Sequence, residues 1–263
     1  MNELENLPNK KLVENDAWQS LKAFTSARIA LGRTGSAMPL KEVLEFKLAH
    51  AHARDSVYSF LNEPELRNDL AAFNIPTLVL NSQANDRNQY LKRPDAGRLL
   101  NEDSIKLLQS LNAPPCDVAI ILADGLSATA INKHAIPLIQ LLVPLLCHSN
   151  FSIAPLTIVH QARVAIGDSI GYYLNARYSI VLIGERPGLS SPDSLGVYLT
   201  YKPTIGLTDE SRNCISNIRL EGMSYAAAAE KILYLVRESF RLQYSGVALK
   251  DNSELRINQE NKN

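Results

Sequence analysis

The amino-acid sequence predicts an α/β fold: a mainly parallel sheet with flanking helices, preceded by an N-terminal helical region. Three observations carry that prediction. Beyond Pro114, continuous apolar runs end in polar, glycine-bearing loops, as strands buried on both faces do. Segments of helical length separate those runs, the mark of βαβ units. Upstream of Pro114, apolar residues recur at helical rather than strand spacing.

Taken in order, the stretch from Asn15 to about Ser110 is helical with polar breaks. Val43, Leu44, Phe46, Leu48, Ala51 and Val57 predict one amphipathic helix from Leu40 to Leu61. Pro39 suits its first turn and Asn62-Glu63-Pro64 its exit. Gly32-Arg33-Thr34-Gly35 is a glycine-punctuated loop, and a second loop, Tyr90 to Arg98, leads into a helix through Ser110. The first predicted strand, Asp117 to Ala123, ends at Asp124-Gly125. A helix from Thr129 to Cys147, a strand from Ile153 to His160, a helix from Gln161 to Asn175 and a strand from Tyr178 to Glu185 follow. Val197 to Lys202, with alternating character, is a fourth strand. Ser224 caps a last helix from Tyr225 to about Tyr244, ended by Gly246. The organisation expected is a helical region over 1–112, a Rossmann-like α/β domain over 113–250, and a polar tail over 251–263 whose composition favours disorder.

The 263 residues suffice for one large domain or two modest ones. Lysine plus arginine and aspartate plus glutamate both total 27, so the formal charge is zero. Phosphate contacts dominate nucleic-acid affinity, and no basic cluster here exceeds Lys10-Lys11 or Lys92-Arg93; nucleic acid is not an expected partner. Cys116, Cys147 and Cys214 form no C-x-x-C pair, which argues against a disulfide framework or zinc knuckle and for a reducing, cytoplasmic compartment. Met1 to Lys11 carries acids without an apolar core, unlike a secretory signal. The most apolar stretch, Ala135 to Cys147, is 13 residues long and interrupted by Pro137 and Pro144. A bilayer span needs about 20 apolar residues, so a buried helix and no membrane partner are expected.

Ligands of open α/β sheets bind beyond the carboxyl ends of the strands. The loops that fall there are Asp124-Gly125-Leu126-Ser127, His160 leading into Arg163-Val164, and Gly184-Glu185-Arg186-Pro187-Gly188. Their small residues would let a large ligand approach the backbone closely. No G-x-G-x-x-G and no phosphate-loop motif accompanies them. Gly125-Leu126-Ser127 resembles half a nucleophile elbow, so a triad of Ser127 with His134 or His160 competes, weakly, with a plain turn serine. His50 and His52 lie two apart on a helix, on different faces, and make a poor metal pair. Asp168 and Glu185 would suit an acid/base pair, but nothing in the pattern fixes their separation. Residue types alone lead to an α/β binder of a bulky ligand.

Two longer stretches say more. Gly184-Glu185-Arg186-Pro187-Gly188-Leu189, with Asp193-Ser194-Leu195 after it, resembles the signature of the ethanolamine ammonia-lyase small-subunit family, and Arg212-Asn213-Cys214-Ile215-Ser216-Asn217-Ile218-Arg219 resembles its second signature. Ala123-Asp124-Gly125-Leu126-Ser127, Tyr90-Leu91-Lys92-Arg93-Pro94-Asp95, Gly32-Arg33-Thr34-Gly35 and Arg163-Val164-Ala165-Ile166-Gly167-Asp168 match in the same order, covering about Thr25 to Gly246.

The resemblance implies a complex that converts ethanolamine to acetaldehyde and ammonia, with adenosylcobalamin as radical source. Its large subunit is a (β/α)₈ barrel that binds ethanolamine and carries the catalytic groups; the small subunit caps it, with cobalamin between. Heterodimers assemble into a ring of six of each, often enclosed in a bacterial microcompartment. No catalytic residue is then expected in this chain. The family's cobalamin contacts carry over to Val164, Glu185 and Cys214. Val164, in the helix-entry loop after the second strand, offers backbone and a small apolar surface. Glu185, ending the third strand, would accept hydrogen bonds from corrin amides, and Cys214 would sit in a loop folding over the ligand. The competing roles are core packing for Val164, an ion pair with Arg186 or Arg163 for Glu185, and an inert buried thiol for Cys214. Arg163, Asp124 and Ser127 rank second. No Asp-x-His occurs, so the cofactor is expected to keep its dimethylbenzimidazole, with no cobalt ligand from this chain. The short, weakly helical leader before Thr25 argues against a role in encapsulation.

Overall fold

The computed structural model describes residues 12–252, ordered as α1 (Leu40–Val57), α2 (Glu63–Ala71), β1 (Thr77–Asn81), α3 (Arg87–Lys92), α4 (Glu102–Ser110), β2 (Cys116–Ala123), α5 (Ala128–His148), β3 (Leu156–His160), α6 (Ile166–Tyr173), β4 (Ala176–Gly184), β5 (Leu195–Tyr201), β6 (Arg212–Ile218) and α7 (Tyr225–Leu242). The first eleven residues of the leader (to Lys11) and most of the polar tail (from Ser253) lie outside the described residues. The chain forms two compact units. Among the described residues, one takes Leu12–Asp55 together with Gly188–Ser191; the other takes Ser56–Pro187 and Pro192–Asn252.

The second unit holds one six-stranded sheet in the order β1-β3-β2-β4-β5-β6. The first four strands in that order pair in parallel, whereas β5 runs antiparallel to β4 and β6 to β5. The sheet is therefore mixed. The cause lies in the connections: ten residues link β4 to β5 and ten link β5 to β6. A parallel crossover needs a dozen or more, usually with a helix, so these strands must turn back.

Both faces of the sheet are covered. Val118, Ile120 and Leu122 of β2 enter a core shared with α2, α5 and α7, including Leu70, Leu138 and Ile232. The alternate residues Ala119, Ile121 and Ala123 enter a second core with Leu108 of α4 and Ile166 and Ile170 of α6. Burial on both faces is why β2 reads as an unbroken apolar run.

Ser127 caps α5 by accepting from the Ala130 N–H at 3.4 Å. This helix, 21 residues with Pro137 and Pro144 inside it, is long and apolar enough to cross a bilayer by length and composition. Its Ile131, Leu138, Leu142 and Leu146 are instead fully buried against the sheet and α7, as in the core helix of a globular domain. Ser224 caps α7, as expected, but the helix ends at Gln243, whose φ of 65° is left-handed. Gly246 opens a following 3₁₀ turn rather than closing the helix.

Other expectations need correction. The helix predicted over Leu40–Leu61 stops at Val57, and the one predicted from Gln161 begins only at Ile166. A strand, β1, lies within the stretch read as helical, and Cys214 lies in a strand, β6, rather than a loop.

In the first unit, a 3₁₀ turn over Gln19–Phe24 precedes α1. Leu40, Leu44 and Leu48, spaced four apart along one face of α1, are 72%, 56% and 57% exposed. Lys22 pairs with Glu42 at 3.2 Å, and the Arg28 guanidinium lies 5.8 Å from the centre of the Phe46 ring.

Candidate functional site

β2 and β3 are neighbours whose chains leave in opposite directions. The chain after β2 enters α5 in one core, and the chain after β3 enters α6 in the other. A crevice opens where such exits part, at the carboxyl edge of the sheet. A cavity of about 450 Å³ occupies this place, with Tyr90, Leu126, Arg163, Val164, Glu185 and Tyr198 in its wall.

Two glycines hold its floor together. The Leu126 N–H donates to the Gly184 carbonyl at 2.9 Å where the loops after β2 and β4 cross. Gly125 adopts φ +59°, and a Cβ on either glycine would collide with the other loop's backbone. The close crossing thus dictates both residue types.

Beside it lies a buried ionic cluster. The Asp124 carboxylate, 3% exposed, accepts from the Gln161 and Ala162 N–H groups at 2.8 and 2.9 Å, and Arg87 lies 3.9 Å away. Burial pushes the Asp124 carboxyl above its ordinary pKa, although the two backbone N–H donors act the other way. Arg87 donates through Nε to the Val57 carbonyl (2.6 Å) and through a terminal nitrogen to the Gly125 carbonyl (2.8 Å). The guanidinium carbons of Arg87 and Arg163 lie 4.6 and 4.2 Å from the centre of the fully buried Tyr90 ring. The Tyr90 hydroxyl donates to the Ala162 carbonyl at 3.3 Å, and burial drives its pKa well up.

Of the three predicted cofactor contacts, the structure brings Val164 and Glu185 into one cavity wall and sets Cys214 next to it. Val164 precedes α6 and also packs on the second core, so lining and packing roles coexist. Glu185 follows β4 directly. It forms no ion pair with Arg186 or Arg163; its Oε2 accepts from the Ser194 hydroxyl and from the Asn217 N–H, the latter at 3.2 Å. A bulge explains the second bond: the β5–β6 register slips between Leu195 and Val197, and Asn217 turns to φ 60°. Its N–H, freed from the ladder, reaches the carboxylate. A Cβ on Gly196 would lie 2.9 Å from Glu185 Oε1, so a glycine there leaves the carboxylate room.

Cys214 opposes Tyr198, which lines the cavity, across β5 and β6. Its side chain is exposed rather than an inert buried thiol, yet the surrounding atoms push its pKa up by desolvation, with Tyr198 pulling the other way. Tyr198 is likewise pushed up, by burial first and then by Cys214.

The hydrolase-like alternatives find no geometry. Ser127 donates to the Pro192 carbonyl at 3.1 Å while capping α5. His134 Nδ1 meets the Tyr225 hydroxyl at 2.8 Å, and His160 meets Glu63 at 3.0 Å. Asp168 is clamped by both terminal nitrogens of Arg212, at 2.7 and 2.9 Å, so it forms no acid/base pair with Glu185. Sequence reasoning missed Arg87, Tyr198 and Asn217 as parts of the site. Tyr90 stood at the head of a noted loop, but nothing in the pattern placed it beside Asp124.

Comparison with known proteins finds relatives along most of the chain. A family model described as "Ethanolamine ammonia-lyase light chain (EutC)" matches residues 15–250. Proteins named "Ethanolamine ammonia-lyase small subunit" are similar throughout. One from Pseudomonas putida (strain GB-1) is 51% identical over 244 residues, 92% of this chain and 90% of its own. One from Xanthomonas campestris pv. campestris (strain ATCC 33913) is 51% identical over 242 residues, 91% and 89% of the two chains. One from Azotobacter vinelandii is 50% identical over 241 residues, 90% and 89%. The chain belongs to the ethanolamine ammonia-lyase light chain family.

Proposed function

We propose that this chain helps to bind adenosylcobalamin at the carboxyl edge of its sheet, as the light chain of an ethanolamine ammonia-lyase complex. In this reading a large partner subunit holds ethanolamine and the groups that convert it to acetaldehyde and ammonia. The observation that carries the proposal is the cavity of about 450 Å³ whose wall includes Val164 and Glu185, with Cys214 beside Tyr198 at its rim. A cobalamin has on the order of 100 non-hydrogen atoms, too many for the ~300–1,000 Å³ of a drug-sized site. A cavity of this size takes one side of such a ligand and leaves the remainder to a partner.

The residues suit that task. Glu185 is fixed through Oε2 by Ser194 and Asn217, which orients its carboxylate to accept from amide N–H groups at the corrin rim. Val164 and Leu126 add apolar surface. When bound, adenosylcobalamin supplies a cobalt–carbon bond that breaks homolytically; this chain's residues bind, orient and exclude water. Residues 113–250 form the cofactor-binding region in this proposal, with 1–112 preceding it. The exposed Leu40-Leu44-Leu48 face of α1 favours docking on the large subunit, since an apolar stripe in water stabilises nothing until it is covered. A ring of six large and six small subunits, in the cytoplasm or within a microcompartment, belongs to the same reading.

Co-expression tests it. Ammonia release from ethanolamine is expected only when this chain, a large subunit and adenosylcobalamin are together. Glu185→Ala is expected to raise the cofactor concentration needed for half-maximal activity while leaving the complex assembled. Activity from either chain alone would refute the proposal.

A further inference from the structure

The cavity and the buried cluster beside it carry an imbalance of charge. Three guanidiniums, those of Arg87, Arg163 and Arg186, meet two carboxylates, those of Asp124 and Glu185. Asp124 is 3.9 Å from Arg87 and spends both oxygens on backbone N–H groups. Glu185 is held by Ser194 and Asn217 and pairs with no arginine. Arg186, exposed at the cavity, has no ion-pair or hydrogen-bond partner among the described residues. More telling are two buried nitrogens without any acceptor: a terminal nitrogen of Arg87, in a side chain 7% exposed, and Nε of Arg163, in the cavity wall. Unsatisfied buried donors on charged groups are costly, and folded proteins rarely tolerate two together. An anion entering the cavity would remove that cost at Arg163, which lines it, and would balance at longer range the charge of Arg87, which does not. Guanidinium groups meet phosphate oxygens through forked, charge-assisted hydrogen bonds, so a phosphate is the anion this arrangement suits best.

We propose that Arg163, with Arg186 beside it and Arg87 behind Tyr90, forms an anion subsite that receives the phosphodiester in the nucleotide tail of the corrinoid. This rests on the cofactor-binding function proposed above and assigns one part of the ligand to one end of the cavity. A cavity of about 450 Å³ has the size for a nucleotide tail, not for a whole corrinoid. Val164 and Glu185 then meet the rim of the macrocycle where it leaves the cavity. The rival explanation is structural: Arg87 and Arg163 merely stack on Tyr90.

The test uses the assembled complex and three adenosylated corrinoids: cobalamin, cobinamide phosphate, which keeps a phosphate but lacks the base, and cobinamide, which has neither. Binding is read from the corrinoid absorption spectrum, independently of activity. The wild-type complex is expected to bind cobinamide phosphate at least about tenfold more tightly than cobinamide. Arg163→Met is expected to reduce that preference to about twofold or less while leaving cobinamide affinity unchanged, and Arg163→Lys to keep part of it. Arg186→Met supplies the same comparison should Arg163→Met fail to assemble. A preference that survives both methionine substitutions, or an equal loss for all three corrinoids, overturns the subsite in favour of the structural role. A titration with inorganic phosphate, followed by its ³¹P resonance, separates the two proposals. Arg163-dependent phosphate binding without corrinoid binding keeps the anion subsite and refutes the cofactor. Absence of both refutes each.

Discussion

Gly125 and Gly184 are the residues on which the cavity floor depends most narrowly, because two loops cross there with no room for a side chain. Gly125→Ala combines a left-handed backbone with a collision, and is expected to cost on the order of 3 kcal/mol, read from denaturant unfolding. A loss below about 0.5 kcal/mol would mean that the crossing is looser than described. His134 gives a residue-scale prediction of another kind. Burial pulls its pKa below the ordinary 6.5, although nearby Asp193 acts the other way. An imidazole that resists protonation when folded stabilises the fold fully above its unfolded pKa and loses that contribution as pH falls through the folded value. The excess melting temperature of the wild type over His134→Gln should therefore shrink between pH 7.5 and pH 5.5. Asp124 and Asp168 titrate with the opposite sign, since burial raises both: their contribution falls as pH rises through the folded value. This is why the comparison must be with the single variant and not with the wild-type profile alone. A difference that stays constant or widens would contradict the neutral, buried imidazole.

At the scale of elements, β6 does more than its sequence suggests. Arg-Asn-Cys-Ile-Ser-Asn-Ile reads as a polar loop because the bulge at Asn217 breaks the alternation, leaving Ile215 and Ile218 in one core at a spacing of three while Arg212 is buried on the opposite face against Asp168. Arg212 anchors the strand to α6 through Asp168, and the bulge presents an N–H to Glu185. β1 was illegible for a different reason: five residues among helical segments offer too little pattern to tell strand from helix. By contrast β2, β3 and β4 were plain from their apolar runs, since burial on both faces leaves little choice of residue. The positions of Val164 and Glu185 at the carboxyl edge followed from the strands. The neighbours Tyr198 and Asn217 did not, because antiparallel pairing across β5 and β6 brings them in from far along the chain. On α1 the exposed Leu40, Leu44 and Leu48 lead to a further expectation. Leu44→Glu with Leu48→Glu should abolish co-purification with a large subunit and shift the melting temperature of the isolated chain by no more than about 2 °C, since these side chains are already in water. Undiminished co-purification would assign the stripe elsewhere.

At the scale of the molecule, a sheet covered on both faces presents its carboxyl edge as an open cavity rather than a closed one. Its small volume and its unmatched guanidiniums favour a surface completed by another polypeptide. Such a half-site should bind weakly alone, because the partner supplies the missing contacts and excludes water. Equilibrium titration of adenosylcobalamin against the isolated chain, and against the chain assembled with a large subunit, decides the matter. We expect the assembled pair to bind at least about 100-fold more tightly than the chain alone, a difference of ~2.7 kcal/mol, with Glu185→Gln weakening the pair by about tenfold. Saturation of the isolated chain at the same concentrations as the pair would contradict a half-site.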